Sequence, residues 1–160
     1  MKRYGVLLAL VVVSVAVWVA SASAAGNPKV FNLLAVDNGK GQPINGFMFD
    51  RAPRAGDQFP ISEDLYKWAG VKRGAKVGSD AGTAMFLTAT KTGGSTVFNV
   101  QANLPGGTLV VSGVGPATNG PSSFTLAVIG GTGGYADAHG YVKVRGMSGN
   151  KTSLSFYLLP

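Results

Sequence analysis

Hydrophobic and polar residues alternate through most of the chain after Gly26. The alternation is clearest over residues 95–104, where Phe98, Val100 and Ala102 are separated by polar amide side chains. A period of two places the apolar side chains on one face of a strand and the amides on the other. The pattern therefore predicts β-strands with one buried face.

Strand-like runs recur along the chain and are separated by turn residues such as Asp37-Asn38-Gly39, Pro105-Gly106-Gly107 and Ser148-Gly149-Asn150. The runs cover residues 30–36, 46–50, 58–66, 76–79, 83–90, 95–104, 108–114, 124–129, 141–147 and 153–159. These runs predict about eight strands. Eight is also the number at which a closed antiparallel barrel leaves a lumen that side chains fill or that holds one small ligand. Closure also removes exposed strand edges. A two-sheet sandwich fits the alternation almost as well, and the all-β closed barrel is the favoured prediction.

The first 24 residues differ from the rest. Lys2 and Arg3 precede an apolar run over residues 6–20, and Ala22-Ser23-Ala24 supplies the small residues that a signal peptidase accepts. The apolar run is about 15 residues long, shorter than the ~20 that cross a bilayer as a helix. The sequence predicts a signal peptide over residues 1–24 and a single domain over residues 25–160. An uncleaved membrane anchor is the alternative.

The amino-acid composition argues against several classes of function. Without Lys2 and Arg3, 12 of the 14 basic residues stand against 7 acidic ones, which leaves a net charge of about +5. The basic residues are scattered and do not interleave with aromatic ones, so no nucleic-acid partner is expected. The chain has one His and no Cys, which argues against a metal site. Without disulfides, an exported domain must be stabilised by packing and strand pairing.

The most distinctive local string is glycine-rich and covers residues 130–135. Its spacing partly fits a dinucleotide-binding loop, but Gly140 and the next strand follow too closely for the helix that would hold phosphate. No nucleotide cofactor is therefore expected. The better interpretation is a tight connection between two strands, in which glycines reach positive φ without strain.

Together with other segments, this string resembles the allene oxide cyclase and dirigent barrel superfamily. Residues 126–140 resemble its glycine-rich signature, and the matching segments elsewhere keep their order: 56–59 with 64–66, 76–82, 104–107 and 156–158. The resemblance implies an eight-stranded barrel with a hydrophobic lumen, no cofactor, and a homo-oligomer that is a trimer or a dimer. Cyclases of this superfamily close an allene oxide inside the lumen. Dirigent proteins orient phenoxy radicals that an external oxidase forms.

Several positions that the cyclases use are replaced here. Where the resemblance implies an acid, an Asn, a Cys and an aromatic residue, this chain has Ala35, Glu63, Ala84 and Thr125. These replacements argue against the plant cyclase reaction. The dirigent pattern also departs in part, because His139 replaces the usual Arg and the paired Cys are missing.

Polar side chains that could reach an apolar lumen define the candidate site. A carboxyl group in such a lumen would have its pKa raised by desolvation and could donate a proton, so Glu63 and Asp37 are the candidate catalytic residues. The candidate ligand-binding residues are Tyr66, Thr125, Tyr135, Asp137, His139 and Tyr141. Asp80 is also a candidate, although Asp at such a position is more often a turn residue.

Three functions are consistent with these observations. The leading hypothesis is a secreted, extracellular barrel that binds a small hydrophobic ligand, such as a phenol, and steers its coupling or cyclisation. The second is an isomerase or cyclase with its own acid catalysis, and the third is a non-catalytic carrier or surface barrel with a packed lumen. The sequence leaves open whether the protein is an enzyme. It would lie in the apoplast of a plant, or outside the cell or in the periplasm of a bacterium, and meet the membrane only during export. In a eukaryotic secretory pathway, the sequon at Asn150 could be glycosylated.

Overall fold

The computed structural model describes residues 28–40, 51–90, 93–117 and 122–160. These residues form eight β-strands and one short 3-10 helix over Gly133–Tyr135. The strands are β1 (Lys29–Asp37), β2 (Gln58–Trp68), β3 (Arg73–Thr90), β4 (Gly93–Leu104), β5 (Gly107–Ala117), β6 (Ser123–Gly131), β7 (Gly140–Met147) and β8 (Lys151–Leu158). The predicted signal peptide (1–24) and the predicted strand at 46–50 lie outside the described residues. Within the described ranges, no helix is long and apolar enough to span a membrane.

The strands form a closed antiparallel barrel in chain order, and β1 pairs with β8 to complete the circle. The closing register places Phe31 opposite Phe156 and Leu33 opposite Leu154. Where the connection is a short turn, as between β3 and β4, β4 and β5, and β7 and β8, the hairpin returns the chain beside the strand just completed. The connection from β1 to β2 is longer and covers residues 38–57. The predicted all-β, eight-stranded closed barrel is confirmed, and the two-sheet sandwich is excluded.

The strand prediction was wrong in β3. The sequence suggested two short strands, 76–79 and 83–90, but β3 is one strand of 18 residues that pairs with β4 from Ser79 to Thr90. Gly82 explains the difference, because a Cβ there would lie 2.2 Å from the Asn99 carbonyl oxygen of β4. The missing side chain lets the two backbones approach closely, so the glycine accommodates curvature within the strand and does not end it.

The glycine-rich string connects β6 to β7, as the sequence predicted. Gly133 has φ +59, in the left-handed region that favours glycine. The Gly134 N–H donates to the Gly106 carbonyl at 2.7 Å, and the Thr132 N–H donates to the Thr108 carbonyl at 2.8 Å. These bonds fix the connection against the turn between β4 and β5, at one end of the barrel.

The core lies inside the barrel and is made by alternate residues of the strands. Phe156, Leu65, Leu109 and Val142 are almost completely buried there. Phe31 and Phe156 stack with ring centroids 4.9 Å apart. This end of the interior is packed with side chains, and the open space lies toward the other end.

Candidate functional site

The barrel interior contains a cavity of about 850 Å³, bounded by described residues. Pockets that hold small organic ligands are typically ~300–1,000 Å³ in volume. Five aromatic rings from five strands line it: Phe59, Phe86, Phe98, Phe124 and Phe156. The lumen bounded by the described residues is therefore not packed solid, and its wall suits a flat, mostly apolar molecule.

Two carboxyl groups interrupt the apolar wall. Glu63 on β2 and Asp80 on β3 are direct partners in the antiparallel register, so their side chains leave the sheet on the same face. That face is the inner one, because Ile61, two residues from Glu63, also lines the cavity. On the other side, Asp37 of β1 is the register partner of Glu63. Three acids thus lie side by side across three strands.

The environment raises the pKa of both lumen carboxyls. The pKa of Glu63 is raised to about 7, chiefly by desolvation; a hydrogen bond with Asp80 acts to lower it and the charge of Asp37 to raise it. The pKa of Asp80 is raised to about 8, chiefly by desolvation and then by the charge of Glu63 and the side-chain hydrogen bond with it, while a backbone hydrogen bond with Glu63 acts in the opposite direction. Two carboxyls this close in an apolar space share a proton rather than both ionise.

Asp80 is the more buried member of the pair and is only 4% exposed. Among the described residues, its Oδ1 atom is a buried side-chain oxygen without a hydrogen-bond partner. An unsatisfied buried acceptor costs ~1–3 kcal/mol. Such a group is expected where a ligand or water completes the bonding.

A basic side chain in the cavity wall is paired with an acidic residue. Arg51 lines the cavity, and its two terminal nitrogens each lie 2.7 Å from a carboxylate oxygen of Asp57. No cation from the described residues contributes to the pKa of either Glu63 or Asp80. Nor do the described residues bring together a cluster of metal ligands.

This arrangement can exchange a proton with a bound molecule. A protonated carboxyl in an apolar cavity can donate to a carbonyl, ether or quinone-methide oxygen, and its ionised partner can accept a proton elsewhere on the same molecule. The phenylalanine wall fixes the orientation while the carboxyl pair provides the polar contact.

The structure separates the two candidate catalytic residues. Glu63 lies in the cavity wall, whereas Asp37 is exposed at the end of β1. The Asp37 carboxylate accepts a hydrogen bond from the Gly39 N–H at 2.8 Å, which is the arrangement of a turn residue. Asp37 therefore acts on Glu63 through its charge, and direct contact with a ligand stays a prediction.

The six candidate ligand-binding residues do not line the 850 Å³ cavity. Thr125, Asp137 and His139 are exposed, and the His139 ring nitrogen Nδ1 lies 3.0 Å from the Asp137 backbone oxygen, not its carboxylate. Tyr141 stacks on Tyr157 with centroids 4.8 Å apart.

Tyr66 and Tyr135, the other two candidates, make their contacts outside this cavity. The Arg73 guanidinium lies 4.7 Å from the Tyr66 ring centroid. Tyr135 lines a smaller groove at the packed end of the barrel and donates a long hydrogen bond to the Pro105 carbonyl. A ligand-binding role for these six residues stays a prediction from the sequence.

Asp80 is the important residue that sequence reasoning underrated. Its spacing gave a usable signal, because Asp80 is an even number of residues from Ala84 and Phe86, which are buried. Within one continuous strand, that spacing places all three on the inner face. The signal was missed because the glycines around Asp80 were interpreted as a turn.

Comparison with solved structures identifies the fold. A pyocyanin demethylase is 24% identical, with a TM-score of 0.64, over 82% of this chain and 100% of that one. A pterocarpan synthase dirigent protein is 14% identical, with a TM-score of 0.61, over 82% of both chains. An exo-specific intermolecular Diels-Alderase is 14% identical, with a TM-score of 0.60, over 84% of this chain and 100% of that one. No protein-family profile and no curated protein matches the sequence.

These likenesses concern the fold. The chain shares its closed barrel fold with a dirigent protein and a Diels-Alderase, which agrees with the resemblance found in its sequence. At these identities the comparisons establish the fold, and the chemistry must be argued from the lumen.

Proposed function

We propose that this protein is a secreted barrel that binds a small, mostly apolar aromatic molecule in its lumen and orients it for cyclisation or coupling. The observation that carries the proposal is the phenylalanine-lined cavity of about 850 Å³, into which the carboxyl groups of Glu63 and Asp80 point side by side. Confinement of a reactive molecule between rigid walls removes most of its orientational freedom, which alone accelerates and directs a reaction. The names of the similar structures, a dirigent protein and a Diels-Alderase, support this type of chemistry.

A substitution that fills the lumen tests the binding site. Val100 of β4 lines the cavity, and Val97 of the same strand does not. Val100→Trp should abolish binding of an apolar fluorescent probe, whereas Val97→Trp should leave it unchanged. Unaltered binding in Val100→Trp, with the fold intact by circular dichroism, would place the ligand outside the lumen.

The orienting role needs a product assay. The purified protein is added to a phenolic alcohol and a one-electron oxidant, and the enantiomer ratio of the coupled product is measured. The proposal expects a skewed ratio that Val100→Trp returns to racemic. A racemic product with every phenol that the lumen binds would remove the coupling role.

A second candidate function is acid catalysis by the barrel itself, of the isomerase or cyclase type. The proton held between Glu63 and Asp80 favours it, because a neutral carboxyl near pH 7 is a competent general acid. Turnover without an added oxidant that falls by ~100-fold or more in Glu63→Gln, with binding retained, is the expected result. Equal turnover in the variant would show that the carboxyl does not transfer the proton.

A further inference from the structure

The lumen offers a ligand negative charge and no available positive charge from the described residues. Glu63 and Asp80 face the cavity from neighbouring strands, and Asp37 adds its charge from the next strand. The guanidinium of Arg51, the basic group in the cavity wall, is held by two 2.7 Å contacts to Asp57. An anionic ligand would therefore meet like charge inside an apolar space, where repulsion is strongest.

One carboxyl oxygen of Asp80 lacks a hydrogen-bond donor, and a ligand could supply it. Its Oδ1 atom is buried and unpartnered among the described residues, and the whole residue is 4% exposed. A carboxylate oxygen can only accept hydrogen bonds, so its natural complement is an N–H group or a positive charge.

The phenylalanine walls favour the same kind of molecule. The faces of Phe rings carry negative charge density and attract cations within about 6 Å. Phe98 and Phe124 stack at 5.2 Å, and Phe59 lies 5.6 Å from Phe86, so the cavity presents two groups of rings. Aromatic faces together with a carboxylate form a site that holds an organic cation through both its rings and its charge.

We propose that the lumen selects a flat aromatic cation and holds its positive charge against Asp80 and Glu63. This inference rests on the proposed function in one respect, that the lumen is the ligand site, and it goes further by naming the charge of the ligand.

The carboxyl pair makes this binding sensitive to pH. A bound cation stabilises the ionised pair, so binding releases to the solvent the proton that Glu63 and Asp80 share. The affinity for a cation should therefore increase as the pH rises through about 7 to 8, the range in which the two groups titrate. Among the described residues, Asp37 from β1 is the charged group that adds its charge to the pair. Arg51 lines the same cavity but is paired with Asp57 and contributes to the pKa of neither carboxyl, and β4 places the uncharged Ala102 opposite Asp80.

Three fluorescent probes of similar shape test the inference: the cation N-methylacridinium, neutral anthracenemethanol and the anion anthracene carboxylate. Their dissociation constants are measured by fluorescence titration with the purified protein at about pH 8. The cation should bind about tenfold or more tightly than the anion. Its affinity should fall about tenfold in Asp80→Asn while that of the neutral probe stays the same.

Asp64→Asn is the matched control. Asp64 follows Glu63 on the opposite face of β2, where it pairs with Lys76 at 2.9 Å, so the variant makes the same change of charge outside the lumen. It should leave all three affinities unchanged. Glu63→Gln is the second variant, for use if Asp80→Asn fails to fold.

Two kinds of result would overturn the inference, and they differ in whether the proposed function also falls. If the three probes bind the native protein equally, or if Asp80→Asn and Asp64→Asn weaken cation binding to the same extent, the lumen does not select charge, and the proposed function stands. If none of the probes binds, the lumen is not a site for aromatic ligands, and both proposals fall.

Discussion

Replacing Asp80 by Asn should make the protein more stable in weakly alkaline solution. Burial raises the pKa of this carboxyl from its ordinary value of 3.8 to about 8. Between those values the folded state holds a proton that the unfolded state has lost, so the free energy of unfolding falls as the pH rises. Asn has nearly the same shape and cannot ionise, so it removes this pH-dependent loss.

The magnitude follows from the same values. A pKa raised from 3.8 to about 8 corresponds to about 6 kcal/mol, at ~1.4 kcal/mol for each unit of pKa. Water entering the cavity to hydrate the ionised pair reduces this cost, and the Asn amide can donate to Glu63. We therefore expect Asp80→Asn to be more stable than the native protein by about 2–4 kcal/mol at about pH 9, and by much less at about pH 5.

Urea unfolding of both proteins at about pH 5 and about pH 9 measures the effect. Asp64→Asn serves as the control, because Lys76 lowers the pKa of Asp64 and the stability from that carboxylate is already complete near pH 5. The control should gain no stability at the higher pH. The reasoning is refuted if the native protein is equally stable at both pH values and Asp80→Asn has no advantage at about pH 9.

Three further predictions concern the barrel itself. Ala at Gly133 would place its Cβ 2.3 Å from a backbone oxygen, whereas a Cβ at Gly149, which has a similar φ of +71, would meet open space. Gly133→Ala should therefore lose ~1–3 kcal/mol more stability than Gly149→Ala in urea unfolding. Equal losses would argue against the close contact. Phe156→Ala, in the core at 1% exposure, should lose ~3–5 kcal/mol; a loss below ~1 kcal/mol would mean that the site collapses around the truncation. Asn150 has φ +55 in the last hairpin turn, so Asn150→Val should lower the thermal midpoint and Asn150→Gly should not; matching midpoints for the two variants would contradict a strained backbone there.

The local pattern predicted the strands well where the turns between them were unambiguous. The hairpin of β7 and β8 matches the prediction within two residues, because alternating residues flank the Ser148-Gly149-Asn150 turn. The pattern failed in β3, where glycine supports close strand approach and has the same local signature as a turn. The pairing of β3 with β4, the next strand along the chain, decided that point.

The candidate site could be predicted only in part. Glu63 was proposed and lies in the lumen, while Tyr141 was proposed although its own alternation with Val142 and Val144 places it on the outer face. Asp37 and Glu63 looked equivalent in sequence, yet one is exposed and the other lines the cavity. Composition and motifs identify which residues have acidic or polar side chains. How far each side chain lies from the mouth of the barrel depends on the pairing of all the strands.

The sequence alone determined that the chain is all-β with strands buried on one face, because side-chain alternation and turn chemistry are local. It favoured a closed barrel, but the pairing of β1 with β8 in the tertiary structure decided closure over a two-sheet sandwich. The tertiary structure decided which polar residues work together. Glu63 and Asp80 are 17 positions apart and have no sequence pattern in common, and they share a proton because the register of β2 and β3 sets them opposite each other on the inner face of the barrel, where burial disfavours the charge of both. Desolvation is a collective effect of all eight strands, so no local stretch of the chain could have revealed it.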